Sequence, residues 1–160
     1  MEKIQPLIDI FYNNKEAINF IVIFSRFEYA LKRAGFASGN TNSISANWDR
    51  FYSRKEIKIF INTKIDSNIS SYMYILKNPP KKQVLINNRI EWIDIKYNSQ
   101  IDAINLSIRT VRNNLFHGGK YPLRPISDEL RNIDLLSACN NVMLSLLDFD
   151  TSIRQYFYDL

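Results

Sequence analysis

A single cysteine and a single histidine serve the whole 160-residue chain. One thiol excludes an internal disulfide framework, and one cysteine with one histidine leaves too few soft ligands for a zinc site. Cys139 falls in an apolar helical segment, which predicts a buried, inert thiol rather than a nucleophile. There is no glycine-rich phosphate loop and no cluster of metal-ligating residues, which argues against an NTPase or a metalloenzyme; no metal and no cofactor is expected. No apolar run approaches the roughly 20 residues that span a bilayer. The first residues, Met1-Glu2-Lys3-Ile4-Gln5-Pro6, lack the charged and then apolar layout of a signal peptide, so the cytoplasm is the default location and no membrane partner is expected. Internal repeats, low-complexity tracts and domain linkers are absent as well, and a single domain over residues 1–160 is expected.

What is present reads as a helical domain with a real core. Hydrophobic residues make up 46% and charged residues 23% of the chain, the balance of a globular protein. Ile4, Leu7, Ile8, Ile10 and Phe11 predict a short amphipathic helix or arm, broken at Asn13-Asn14. Phe20, Ile23, Phe24, Phe27, Ala30 and Leu31 share one face of a long helix from about Lys15 to Ala34, capped by Gly35. Residues 37–43 read as a turn-rich loop. Residues 45–60 look helical around Trp48, Phe51 and Tyr52, although Ile57, Ile59 and Ile61 alternate as a strand would. Another helix is expected from Asp66 to Lys77, stopped by Asn78-Pro79-Pro80. Residues 81–97 read either as a short hairpin over Asn87-Asn88 or as an ordered loop that packs Trp92 onto the bundle. A final long helix starts near Ser127 and runs to about Leu147. It is apolar nearly all round and therefore central in the bundle or shared with a second subunit. Tyr156, Phe157 and Tyr158 close the chain in a short helix or docked tail.

Between these elements lies the stretch that carries chemistry, Arg112-Asn113-Asn114-Leu115-Phe116-His117-Gly118-Gly119-Lys120. Ile101, Ile104, Ile108, Val111 and Leu115 mark the buried face of a helix from Asn98 to His117, and the glycine pair with Pro122 ends it. The net charge of +5 is only mildly basic, but its distribution is uneven. No acidic residue lies between Asp102 and Asp128, whereas Arg109, Arg112, Lys120 and Arg124 all do. Four cations without a local counter-charge suit a polyanionic ligand; a solvated helix face beside a basic loop would look the same.

Arg112-Asn113-x-x-x-His117 matches the Arg-x4-6-His signature of the HEPN superfamily, with the polar residue that commonly follows the arginine. Ser25-Arg26-Phe27-Glu28-Tyr29-Ala30-Leu31-Lys32 also resembles the first long helix of several HEPN families. The resemblance implies an all-α helical bundle. It also implies a metal-independent endoribonuclease of the toxin or phage-defence kind, acting on RNA as a homodimer. An antitoxin or another defence-system protein would be a further partner. The alternative within the same fold is a module without catalysis that binds RNA, a nucleotide or a partner protein. By the same resemblance, His117 moves the proton, Arg112 holds the phosphate and Asn113 positions backbone or base. Glu28 supports the site, and Arg109, Lys120 and Arg124 attract phosphate. In HEPN toxins silenced by nucleotide transfer a tyrosine stands two residues beyond the histidine. Here that position is Gly119 and the tyrosine is Tyr121, so this mode of control does not carry over.

The residue types suit RNA cleavage without metal. Histidine titrates near neutral pH, and arginine offers a permanently charged planar fork to the non-bridging oxygens. On an ideal helix, positions five apart differ by about 140° around the axis and about 7.5 Å along it. Arg112 therefore lies beside Arg109 and Phe116, and His117 on the side of Asn113. The two meet over one phosphate only if the helix end relaxes at Gly118 or if two copies face each other across a dimer axis. Each residue also has a plain structural role open to it. His117 can be a helix C-terminal histidine favoured by the macrodipole, and Arg112 can cover apolar surface while pairing with Glu28.

Overall fold

Phe20, Phe24, Phe27 and Leu31 recur at three- and four-residue intervals, and the helix they build, α1 (Lys15–Arg33), buries that stripe with Ala17 and Ala30. The computed structural model describes residues 14–116 and 126–159, with side-chain detail in the second segment from residue 130. The arm expected at residues 3–13 lies outside the described residues. Asn14 caps α1 by accepting from the Ala17 N–H at 3.0 Å. Gly35, at φ +91°, turns the chain out of the helix, and the Phe36 N–H closes back on the Leu31 carbonyl at 2.8 Å. That six-to-one bond is the helix stop predicted from the glycine.

After α1 come β1 (Ala37–Gly39) and β2 (Ile44–Ala46), then α2 (Trp48–Ser53), α3 (Lys55–Asp66) and α4 (Ser70–Lys77). Next are β3 (Lys82–Ile86), β4 (Arg89–Ile93), α5 (Gln100–Phe116), α6 (Ile126–Phe149) and α7 (Thr151–Tyr158). The molecule is thus mostly helical rather than strictly all-α, carrying two separate antiparallel strand pairs. The segment expected to be a turn-rich loop at 37–43 is strand β1 together with the turn that joins it to β2. Asn40 Oδ1 organises its turn by accepting from the N–H groups of Asn42 and Ser43. A Cβ at Gly39 would fall 2.1 Å from the Ser43 carbonyl oxygen, so the turn admits glycine only.

The alternation of Ile57, Ile59 and Ile61 is resolved in favour of helix. Ile57, Ile61 and Ile65 are buried on one face of α3, four residues apart, while Ile59 points to solvent. Asn68, at φ +52°, breaks the chain after Asp66, so α4 begins at Ser70 rather than at Asp66. Of the two readings of 81–97, the hairpin is the one formed, with register Ile86↔Arg89 and Leu85↔Ile90. Asn87 and Asn88 both take positive φ, the geometry a two-residue turn requires.

The buried residues of all seven described helices join one cluster. α6 runs through its middle and packs against α1, α4 and α7, with Leu135, Cys139, Val142, Met143 and Leu146 buried. Cys139 is fully enclosed, and burial pushes its thiol well above the usual range, as an inert core cysteine requires. Tyr72 of α4 reaches Ser145 of α6 at 2.7 Å, and burial pushes its hydroxyl up to about 12. No helix among the described residues is long and apolar enough to cross a membrane.

The C-terminal helix is tied down at both ends. Arg26 of α1 donates to the carbonyls of Tyr156, Phe157 and Asp159, satisfying the open end of α7. At its start, Asp150 Oδ1 accepts from the Ile153 N–H at 3.1 Å while Oδ2 accepts from Arg54 Nη1 at 2.6 Å. Asp150→Ala removes both interactions at a buried position and is expected to cost about 2 kcal/mol. Asp150→Asn keeps the cap and should lose clearly less. Thermal melts of the two variants check this, and equal losses would deny the cap its share.

Candidate functional site

The buried stripe of α5 (Ala103, Ile104, Ser107, Ile108 and Val111) fixes which way the helix faces. Its start is capped reciprocally. Ser99 Oγ accepts from the Asp102 N–H at 3.1 Å, and Asp102 Oδ2 accepts from the Asn98 N–H at 2.9 Å. With that rotation set, Arg112 and Asn113 emerge next to each other on the border between core and solvent.

Arg112 is half-buried and lies over two aromatic faces, 4.9 Å from the Phe116 ring centroid and 6.0 Å from that of Phe24. Its Nη1 donates to Asn113 Oδ1 at 3.2 Å. No carboxylate pairs with it among the described residues. A guanidinium lying over rings keeps its charge, and the rings do not compete for its remaining N–H groups. This is the geometry that can take an oxyanion.

Glu28 is not the partner of Arg112. Its Oε1 accepts from Trp48 Nε1 at 3.0 Å. Trp48 stacks on Phe24 at 5.2 Å and on Phe27 at 5.4 Å, and Phe24 in turn underlies Arg112. Glu28 therefore reaches the candidate site only through the aromatic stack, as a residue that holds the floor.

Arg109 faces a different partner. Asp49 Oδ1, from the first turn of α2, accepts from Arg109 Nη1 at 3.0 Å and from Asn105 Nδ2 at 2.9 Å. The stretch that carries no acid in sequence thus acquires one in space. Arg109 still presents a half-exposed guanidinium, and an exposed pair of this kind holds it only loosely. The Tyr52 hydroxyl and Asn105 Oδ1 are buried without a hydrogen-bond partner among the described residues. Burial pushes the Tyr52 hydroxyl well up, with Tyr72 and Cys139 adding to the rise and Arg109 opposing it.

His117, Lys120 and Arg124 lie outside the described residues, as do Gly118, Gly119 and Tyr121. Of the residues predicted from sequence, the structure brings Arg112 and Asn113 into contact, links Glu28 to them through two rings and directs Arg109 to Asp49. Phe116 stands beside Arg112 as the helical spacing predicts, and Phe24 and Asp49 are the partners that the spacing did not indicate. Phe24 and Phe116 bracket the guanidinium, and Phe116 remains 52% exposed at the end of α5. The four-residue spacings Asn105–Arg109 and Arg112–Phe116 were the available signals for these contacts. Asp49 gave none, because its role depends on how α2 meets α5.

Asn114, next in the motif, turns inward. It is buried, and its Nδ2 donates to the Lys81 carbonyl at 2.9 Å, pinning the base of the β3–β4 hairpin to the last turn of α5. Asn114→Ala is expected to cost about 1–2 kcal/mol and to speed amide exchange in β3 and β4 more than in α1. Unchanged exchange in the hairpin would show that the anchor lies elsewhere.

No family model matches the chain, and neither a curated protein nor a solved structure matches it.

Proposed function

We propose that the chain is a metal-independent endoribonuclease of toxin or phage-defence type, built on a HEPN-like bundle. Two copies bring Arg112 and His117 together in one basic cleft near a two-fold axis. The observation that carries the reading is the state of Arg112: a half-buried cation laid on Phe24 and Phe116, without a carboxylate among the described residues. It stands in the last turns of a helix that leads directly into the chain's one histidine.

In the proposed reaction the RNA 2′-oxygen attacks the adjacent phosphorus. The bond from phosphorus to the 2′-oxygen forms and the bond to the 5′-oxygen breaks. The 2′-hydroxyl proton passes to a base, and the departing 5′-oxygen receives a proton. One His117 serves as base and the partner's His117 as acid, a division that a composite cleft permits and a single imidazole does not. Arg112 balances the charge that develops on the non-bridging oxygens. Asn113 steadies the guanidinium and leaves its own amide nitrogen for the backbone or a base. Phe116 offers an exposed ring on which a base stacks. Arg109, Lys120 and Arg124 add salt-sensitive attraction for phosphate.

The test is incubation of purified protein with RNA in EDTA, beside Arg112→Ala and His117→Ala proteins of verified fold. The reading predicts cleavage by the wild type and a loss of about 100-fold or more in each variant. Equal cleavage by all three proteins overturns it. Binding of RNA by all three without cleavage assigns the chain to the non-catalytic module class instead.

A further inference from the structure

The β3–β4 hairpin leaves apolar side chains in water. Leu85 and Ile90 stand directly opposite each other across the two strands and are 71% and 69% exposed. An isolated two-stranded hairpin is marginal by itself, and a strand edge with open N–H and C=O groups is a template for further pairing. β3 is the strand that meets α5, and among the described residues no strand pairs with the outer edge of β4.

The register shows what this edge accepts. The two-residue turn closes on Ile86↔Arg89, the hydrogen-bonded pair of the turn. Along β4, Arg89, Glu91 and Ile93 therefore direct their backbone groups inward to β3, and Ile90 directs its N–H and C=O outward. The exposed sequence at this point is Arg89-Ile90-Glu91, a cation and an anion on either side of an apolar residue. Such a triplet is complementary to itself when reversed.

We propose that β4 pairs antiparallel with β4 of a second copy of this chain about a two-fold axis through Ile90. Ile90 then exchanges both backbone hydrogen bonds with the partner's Ile90, Arg89 stands opposite the partner's Glu91, and Glu91 opposite the partner's Arg89. The two hairpins become one four-stranded sheet, and Leu85 and Ile90 of both copies form a continuous apolar row across one face. Farther out, Asn88 meets the partner's Trp92 and Asn87 meets the partner's Ile93, so no like charges oppose each other in this register. An isologous contact needs such self-complementarity, and it is what separates this edge from an indiscriminately sticky strand. This axis lies at β4 and is separate from the one that the nuclease reading sets at the end of α5, so the inference does not rest on that reading, and with both contacts made the chain forms a tetramer.

The experiment is sedimentation equilibrium of the wild-type chain, Arg89→Glu, Glu91→Arg and an equimolar mixture of the two variants, each checked for helical content. The wild type is expected to associate through this edge at tens of micromolar, to a dimer, or to a tetramer where the α5 contact also forms. Each single variant sets like charges across the axis and should raise the dissociation constant at least tenfold. The mixture again sets opposite charges across the axis and should recover dimer. Amide exchange at Ile90 should slow with protein concentration. Three outcomes overturn the proposal: a monomeric wild type, whether or not its Ile90 amide is protected by another part of the chain; a dimer indifferent to both substitutions; or a mixture that associates no better than the single variants. RNA cleavage is a separate readout, and its failure leaves these outcomes as they stand.

Discussion

The placement of α5 depends on an aromatic seam between α1 and α2. Phe20 stacks on Phe24, Phe24 and Phe27 both stack on Trp48, and Phe51 meets Phe27 edge-on. Each such pair contributes about 0.5–1.5 kcal/mol beyond the area it buries. α2 has only six residues and would not hold a helical conformation alone. The seam and the Asn47 cap hold it, and the Trp48–Glu28 hydrogen bond satisfies the one polar atom that the buried indole brings with it. Once α2 is fixed, the buried stripe of α5 sets its rotation, and Asp49 receives Asn105 and Arg109 together at its edge. One turn farther along, Arg112 comes to rest over Phe24. The ring that anchors the core on one face supports the candidate site on the other.

The two arginines of α5 illustrate how tertiary placement sorts cations of one type. Arg109 has a carboxylate 3.0 Å away, and Arg112 has rings. A carboxylate competes directly with an incoming phosphate for the same N–H groups, whereas an aromatic face competes for none of them. Among the described residues, Arg109 is thus the one of the two that a carboxylate already engages.

Long, strongly patterned elements were legible in the sequence. The stripe of α1, the nearly all-apolar α6 and the glycine stop at Gly35 follow from periodicity and backbone chemistry that act within a few residues. The β3–β4 hairpin was legible as one of two readings, because Asn87-Asn88 favours positive φ locally but cannot announce whether the flanking runs pair. Where spacing was degenerate, the sequence favoured the helix that forms but left a strand open. Ile57, Ile59 and Ile61 fit a strand as well as a helix, and only the burial of Ile57 with Ile61 and Ile65 decides between them. The short β1–β2 pair carries too little apolar patterning to be told from a loop. In the candidate site, the adjacency of Arg112 and Phe116 was legible from their spacing on one helix. The partners that cross between helices were not. Asp49 for Arg109 and Trp48 for Glu28 lie 60 and 20 residues away in the chain, and no local signal foretells such pairs.

The account assigns phosphate recognition to the C-terminal turns of α5, and one measurement addresses that assignment without depending on turnover. Isotope-labelled protein is titrated with a short RNA whose 2′-hydroxyls are replaced by hydrogen, so that it binds but cannot be cut. The account predicts that the Arg112 side-chain Nε resonance, the Phe116 ring and the His117 imidazole shift together and saturate at one concentration, while the Arg26 side chain capping α7 stays unmoved. Shifts that avoid Arg112 and gather elsewhere on the molecule, or no shifts at low salt, would contradict it.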